Sequence, residues 1–263
     1  MASATYSPAT ALTPAGAGWT RRTMSSDSAL VIMPIIIATL GVALYVYNVR
    51  ADFDFSASSA LTREKLQVQF IDHLTITLWA SFLVAAIAVP LGIVLTRQRF
   101  RRYAGGVLVV ANSGQAMPAY GLVVLFAAWL GTGMRTVIFA LAFFALLPVL
   151  RNTMVGLNQV DPAVTEAGQG MGMSKMAVLR RIELPLAVPV ILAGVRTALV
   201  LTVGMAALAF LIGGGGLGET INSGLKLSRS EVVITGAGIV ALLALSVDWL
   251  AALAERLLRP KGI

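Results

Sequence analysis

The run Gly213–Thr220, GGGGLGET, is where this sequence comes nearest to a nucleotide site. It satisfies the G-x-x-x-x-G of a phosphate-binding loop, but Glu219 stands where the phosphate-binding lysine belongs, and a carboxylate there repels phosphate. Gly213, Gly215 and Gly218 also fit the dinucleotide pattern G-x-G-x-x-G, yet the run follows a long apolar segment, not a strand that opens into a helix. There is no Ser/His/Asp set that the single His73 could complete, and no HExxH pair. With no cysteine in the chain, disulfides, thiolate catalysis and cysteine-ligated metals are excluded. His73 stands just ahead of an apolar segment and is expected at a membrane interface. No catalytic residue, cofactor site or metal site is therefore expected in this chain. If it moves a solute uphill, the energy enters through a partner.

The elements that would position any such work belong in lipid. Apolar residues make up 57% of the 263 and charged residues 12%, with mean hydropathy +0.84; a soluble domain carries about 25% charged residues. Apolar stretches at residues 29–49, 74–96, 104–130, 134–150, 186–212 and 232–254 are long enough to cross a hydrocarbon core of about 30 Å. The expected fold is an all-α membrane protein of about six transmembrane helices. Residues 1–28, rich in Ala, Ser, Thr, Pro and Gly, read as a disordered cytoplasmic tail. Residues 29–255 form the membrane domain with a loop at 151–185, and 256–263 form a short cytoplasmic tail. Arg21 and Arg22 invite a twin-arginine signal reading, but the apolar run behind them is longer than a signal core of about 7–15 residues and has no cleavage site.

The net charge of +8 and the pI near 10.4 do not imply a nucleic-acid partner, because the basic residues are divided among short loops. Their division orients the chain. Arg21, Arg22, Arg97, Arg99, Arg101, Arg102, Arg151, Lys175, Arg180, Arg181, Arg256, Arg259 and Lys261 fall on one side. Only Arg50, Arg63, Lys65, Arg135, Lys226 and Arg229 fall on the other. The positive-inside rule then places both termini and the 151–185 loop in the cytoplasm.

The third span holds Asn112, Ser113, Gly114, Gln115, Met117 and Pro118, with Tyr120 just beyond, and is expected to break near its middle. Unwound backbone at membrane depth survives only against protein or a water-filled cavity, so this break is either a lining of a pathway or a packing kink. Gly213, Gly214, Gly215 and Gly216, closing the fifth span, suit a turn, a gate or close helix packing. Arg196 lies about 15 Å into the fifth span and Asp248 about 12 Å above Arg256 in the sixth, at 1.5 Å per residue. An unpaired charge in lipid is costly, so the two are expected to face each other or a polar interior.

The loop segment Asp161–Pro185 reads DPAVTEAGQGMGMSKMAVLRRIELP. Asp161 can cap a helix whose first residue is Pro162, which has no amide hydrogen to leave unbonded there. Gly168, Gly170 and Gly172 stop that helix, each costing about 1 kcal/mol relative to Ala. Ser174 can cap a second short helix through Leu184, and Pro185 limits it and starts the next span. Met171, Met173, Met176 and Val178 would then form a cytoplasmic surface, suited to a partner's groove or to the membrane plane.

Glu166, Ala167 and Gly168, then Gly172, then Ile182, Leu184 and Pro185 resemble the E-A-A-x3-G-x9-I-x-L-P signature of the permease subunits of ABC importers, with Gly168 in place of the second Ala. The resemblance runs over about residues 68–255. The stretches 147–173, 184–199 and 212–218 are similar to permeases of osmoprotectant importers for glycine betaine, choline, carnitine and related quaternary amines. It implies a type I ABC importer permease fold in the bacterial cytoplasmic membrane. Two permease subunits, identical or related, would enclose a path above two ATPase subunits that bind ATP and Mg2+, with a separate external substrate-binding protein. Asp161, Pro162, Glu166, Ala167, Gly168, Gly172, Met173, Ile182, Leu184 and Pro185 would couple the permease to an ATPase, Glu166 and Gly172 holding the loop's shape. An importer for another small solute such as an amino acid, an ATP-independent transporter or channel, and a membrane anchor or sensor are the other readings.

Overall fold

The computed structural model describes residues 26–51 and 53–258, and the expected 1–25 and 259–263 portions of the tails lie outside them. Among the described residues there are helices and turns but no strand. The helices are α1 (Ser26–Arg50), α2 (Phe55–Ala60), α3 (Arg63–Thr96), α4 (Ala104–Ala116), α5 (Ala119–Leu130) and α6 (Met134–Asn158). They continue with α7 (Pro162–Gly170), α8 (Lys175–Val178), α9 (Leu184–Ala206), α10 (Gly218–Lys226) and α11 (Ser230–Leu258).

Five runs are long and apolar enough to cross a membrane alone: α1, α3, α6, the continuous Lys175–Ala206, and α11; the bent pair α4–α5 makes a sixth. Boundaries differ from expectation where polar residues continue a helix beyond its apolar stretch. Helix α1 begins at Ser26, inside the presumed tail; α3 begins at Arg63; and α11 runs on to Leu258. Helix α6 reaches Asn158, so the loop proper starts eight residues later than expected. The fifth span stops at Ala206, and a short 3-10 turn, Ala209–Ile212, replaces its last turns.

The break in the third span has a local cause. Pro118 disfavours helical geometry at the residue before it, and Met117 is extended at φ −80°, ψ 142°. The two halves meet at a bend of 107°. Even so, they progress along α6. Ala104, Val107, Leu108 and Ala111 pack with Ala142, Ala145 and Leu147, whereas Val123, Phe126 and Ala127 pack with Met134, Val137 and Leu141. The broken pair therefore advances from the middle of α6 towards its start, as the two halves of one span do.

Helix α6 is central, in contact with α3, α4, α5 and α9. Small residues let the backbones approach, as membrane helices without a hydrophobic drive between them require. A Cβ at Gly114 of α4 would lie 2.8 Å from the Phe143 carbonyl oxygen of α6. Helices α3 and α9 lie side by side and antiparallel. At one end Arg97 meets Glu183; towards the other, Ser81 and Thr202 share a 2.8 Å hydrogen bond and His73 reaches Val203. Helix α1 packs on α11, with Trp249 Nε1 donating to the Leu30 carbonyl (2.9 Å) and Thr235 Oγ1 to Asn48 Oδ1 (2.8 Å). The bundle thus has a loop end, carrying α7, α8 and both ends of the described chain, and a glycine end, carrying the turn at 213–216.

Candidate coupling loop and translocation path

The loop between α6 and α9 is built by local rules. The Asp161 side chain accepts from the Ala163 amide at 2.8 Å, with Pro162 at the first helical position. The end of α7 is a Schellman turn: Met173 N–H donates to the Gly168 carbonyl (3.1 Å) and Gly172 N–H to that of Gln169 (2.9 Å). Gly172 carries the turn at φ +84°, in the left-handed region that costs a residue with a Cβ about 1–2 kcal/mol. Ser174 Oγ then accepts from the Ala177 amide at 3.2 Å and caps α8.

Three details depart from expectation. The second helix does not end at Pro185. Leu184 donates five residues back to the Leu179 carbonyl, and this single π turn, Leu179–Glu183, carries the chain helically into α9 although Pro185 has no N–H to give. Val178 is not part of the exposed surface: it is 1% exposed, packed beneath α7 beside Gly168. Met173 is half-buried there too, leaving Val164, Met171 and Met176 as the large exposed apolar side chains of the knuckle. Glu166 and Ala167 are exposed, and among the described residues Glu166 forms no ion pair, so the shape of the turn rests on Gly172 and the caps.

Gly168 stands where the signature has Ala. A Cβ there would lie 2.7 Å from Ile182 Cδ1. The signature residues Gly168 and Ile182, fourteen apart in sequence, are thus in direct contact, with Leu184 and Pro185 opening α9 just behind them.

The residues expected on a pathway separate into two groups. Asn112, Met117, Pro118 and Tyr120 are exposed on the chain at the α4–α5 break, and Gln115 is half-buried. Gly214 and Gly216 are buried and Gly215 half-buried, and they form a tight turn. Gly213, Gly215 and Gly216 take φ of +70°, +78° and +90°. A Cβ on Gly214 would meet Val137 of α6 at 2.7 Å and one on Gly215 would meet Asp72 of α3 at 2.6 Å. Close packing of the end of α9 against α3 and α6 is what these glycines permit.

His73 is not on the surface of the bundle. It is fully buried in α3, and its Nε2 hydrogen-bonds the Val203 carbonyl at 2.9 Å. Val203 is in the last turn of α9, whose carbonyls have no helical partner. The imidazole therefore caps α9, and because a carbonyl only accepts, Nε2 carries the hydrogen. Arg196 and Asp248 form a two-pronged pair between α9 and α11, with Nε to Oδ1 at 2.6 Å and Nη2 to Oδ2 at 2.7 Å; Glu255 Oε2 lies 3.9 Å from Nη1.

Two further ion pairs were not legible as such. Arg97 at the end of α3 binds Glu183 through Nη2 to Oε2 at 2.6 Å and Nη1 to Oε1 at 3.3 Å. Asp54, which caps α2, pairs with Arg229 ahead of α11. In the sequence these arginines are only loop charges, and no spacing joins them to carboxylates 86 and 175 residues away.

A bundle of apolar helices with one broken span, and a capped helix–glycine–helix knuckle between two others, defines a multi-pass membrane transport subunit. A family model described as "Binding-protein-dependent transport system inner membrane component" matches residues 88–260, and the chain belongs to that family. Over 192 residues it is 44% identical to the choline transport system permease protein OpuBB of Bacillus subtilis (strain 168). That match covers 73% of this chain and 88% of the relative. The glycine betaine/carnitine/choline transport system permease protein OpuCB of the same organism is 42% identical with the same coverage. Among solved structures, a chain of the inward-facing MetNI methionine ABC transporter superposes with TM-score 0.65 at 21% identity, covering 74% of this chain and 97% of that one. The type I importer permease fold implied by the resemblance is the fold observed.

Proposed function

We propose that this chain forms half of the translocation path of an ATP-driven importer for a small quaternary amine of the choline, glycine betaine and carnitine class. The reading is carried by one observation: the knuckle Asp161–Pro185, with its Schellman turn at Gly172, bears the coupling signature and leads helically into a span. The names of the similar permeases support the substrate class. In this reading the knuckle is cytoplasmic, both termini are cytoplasmic, and the membrane is the bacterial cytoplasmic membrane.

The partners are a second permease subunit, identical or related, two ATPase subunits that bind ATP and Mg2+, and an external substrate-binding protein. Val164, Met171 and Met176 supply apolar contact area in a cleft of the ATPase, and Glu166 a charge at its rim. Closure of the ATPase dimer on ATP moves the knuckle; α9, continuous with it, carries the motion into the bundle. The α4–α5 break, with Asn112, Gln115, Met117, Pro118 and Tyr120, lines the path.

The test is uptake of labelled choline, glycine betaine and carnitine by proteoliposomes holding the whole complex, with and without ATP and binding protein. Uptake that needs both supports the reading; uptake by this chain without ATPase overturns it in favour of a secondary transporter or channel. Since the chain has no cysteine, a single cysteine at Met176 labelled with an impermeant maleimide reports the side of the knuckle. Labelling from outside intact cells would also overturn it.

A further inference from the structure

Among the described residues, the knuckle is continuous with α6 at one end and, through the π turn, with α9 at the other. Leu179 and Leu184 at its end pack with Val89 and Ile93 of α3. A relay of side chains adds a directional link. Helix α7 sits on Ile182 at Gly168, where the absence of a Cβ leaves room for Ile182 Cδ1 in its present rotamer. The next residue, Glu183, presents both carboxylate oxygens to the guanidinium of Arg97. Arg97 is itself fastened to the last turn of α3, its Nε donating to the Ile93 carbonyl (3.3 Å) and its Nη2 to Thr96 Oγ1 (3.2 Å). The carboxylate of Glu183 is largely buried and the guanidinium half-exposed. A two-pronged charge-assisted pair resists both sliding and rotation, which a single point contact does not.

We propose that Arg97 and Glu183 are positioning residues for coupling: they pin the loop end of α3 to the knuckle, so that α3 follows α9 when the knuckle moves. This rests on the coupling role proposed above. The other end of the same helix pair is joined by Ser81 to Thr202 and by His73 to Val203. With both ends fastened, displacement of the knuckle reaches the glycine turn, which packs on Asp72 and His73 of α3, as movement of one two-helix body. Without the loop-end pin, only the non-directional packing of Val89 and Ile93 joins the two helices there, and motion is lost as sliding between them.

The experiment uses the complete complex in proteoliposomes, measuring choline uptake and ATP hydrolysis in parallel. Arg97→Gln and Glu183→Gln keep shape and lose charge. Each is expected to lower maximal uptake by about tenfold, the size of an ordinary coupling energy, with KM and ATP hydrolysis within about twofold of wild type. The exchange Arg97→Glu with Glu183→Arg restores the pair in reverse and is expected to recover at least half of the uptake; Arg97→Lys, which keeps charge without the fork, falls between. A purely structural pair would instead lower the yield of assembled complex and reduce uptake and hydrolysis together. That outcome, wild-type uptake by both single variants, or no recovery in an exchanged variant that assembles normally, overturns the pin while leaving the coupling role intact. Failure of the wild-type complex to couple uptake to ATP overturns both.

Discussion

Arg196 and Asp248 meet across α9 and α11 through two hydrogen bonds of 2.6 and 2.7 Å, within the apolar length of both helices. Each neutralises a charge that lipid cannot solvate, and Glu255 at 3.9 Å is too distant to replace both prongs. Asp248→Ala, which strands the guanidinium, is expected to destabilise the protein by about 2 kcal/mol, seen as a lower Tm in detergent. Arg196→Ala combined with Asp248→Ala should recover most of that loss. Strict additivity of the two single losses would show that the residues do not act as a pair.

Gly172 and Gly168 are expected to behave oppositely although both belong to the signature. At Gly172 the φ of +84° penalises any Cβ whatever the space, so Gly172→Ala should cost about 1–2 kcal/mol in the turn, a factor of about 5–30 in its population. Uptake should fall accordingly, and Gly172→Asp should abolish it with binding-protein affinity unchanged. At Gly168 the obstacle is the far end of the Ile182 side chain, which can rotate away. Gly168→Ala should therefore retain most uptake, and equal loss in both variants would contradict this account.

The break at Met117–Pro118 and the close crossing beside it predict different phenotypes. Gly114→Val places a side chain against the Phe143 carbonyl, which cannot move aside, and should destabilise by about 1–3 kcal/mol in thermal or denaturant unfolding. Pro118→Ala removes the constraint that holds Met117 extended and should spare stability while lowering uptake. Unchanged uptake in Pro118→Ala would remove the break from the path.

Asp54 gives a pH dependence at the glycine end. The Ala57 amide, then Ser56 and Arg229, hold its carboxyl below the ordinary value of 3.8. A carboxylate depressed in the folded state contributes stability above its unfolded pKa, and loses it as pH falls through the folded value. Protection of the α2 amides from hydrogen exchange should thus decline below about pH 4. Asp54→Asn, whose amide oxygen can still cap but does not titrate, should flatten that decline.

The caps and the glycine turn of the knuckle were legible because their geometry is local. Asp161 and Ser174 cap the helices that follow them, and Gly172 sits in the turn, as residue type and spacing alone required. The pairing of Arg196 with Asp248 was legible for another reason: two opposite charges at matching depth in apolar helices have few other partners. His73 was not legible as a buried residue because a lone histidine near a span carries no sign of burial. It is buried because the last turn of α9, 130 residues on, presents the Val203 carbonyl to it. Val178 was misplaced for the same kind of reason: a short helix shows its apolar residues in sequence, but which of them face inward is set by α7 folding back over it.

The amino-acid sequence by itself determined that this chain lives in a bilayer, where it crosses, where the third crossing breaks, and what shape the knuckle takes. Each of those follows from the solvation of apolar runs or from backbone preferences acting over a few residues. Tertiary structure alone decided that the glycine run is a packed turn and that Arg97 and Glu183 join α3 to the knuckle. Those contacts bring together groups dozens of residues apart, and which groups meet depends on the register in which antiparallel helices pack, a property no single helix carries.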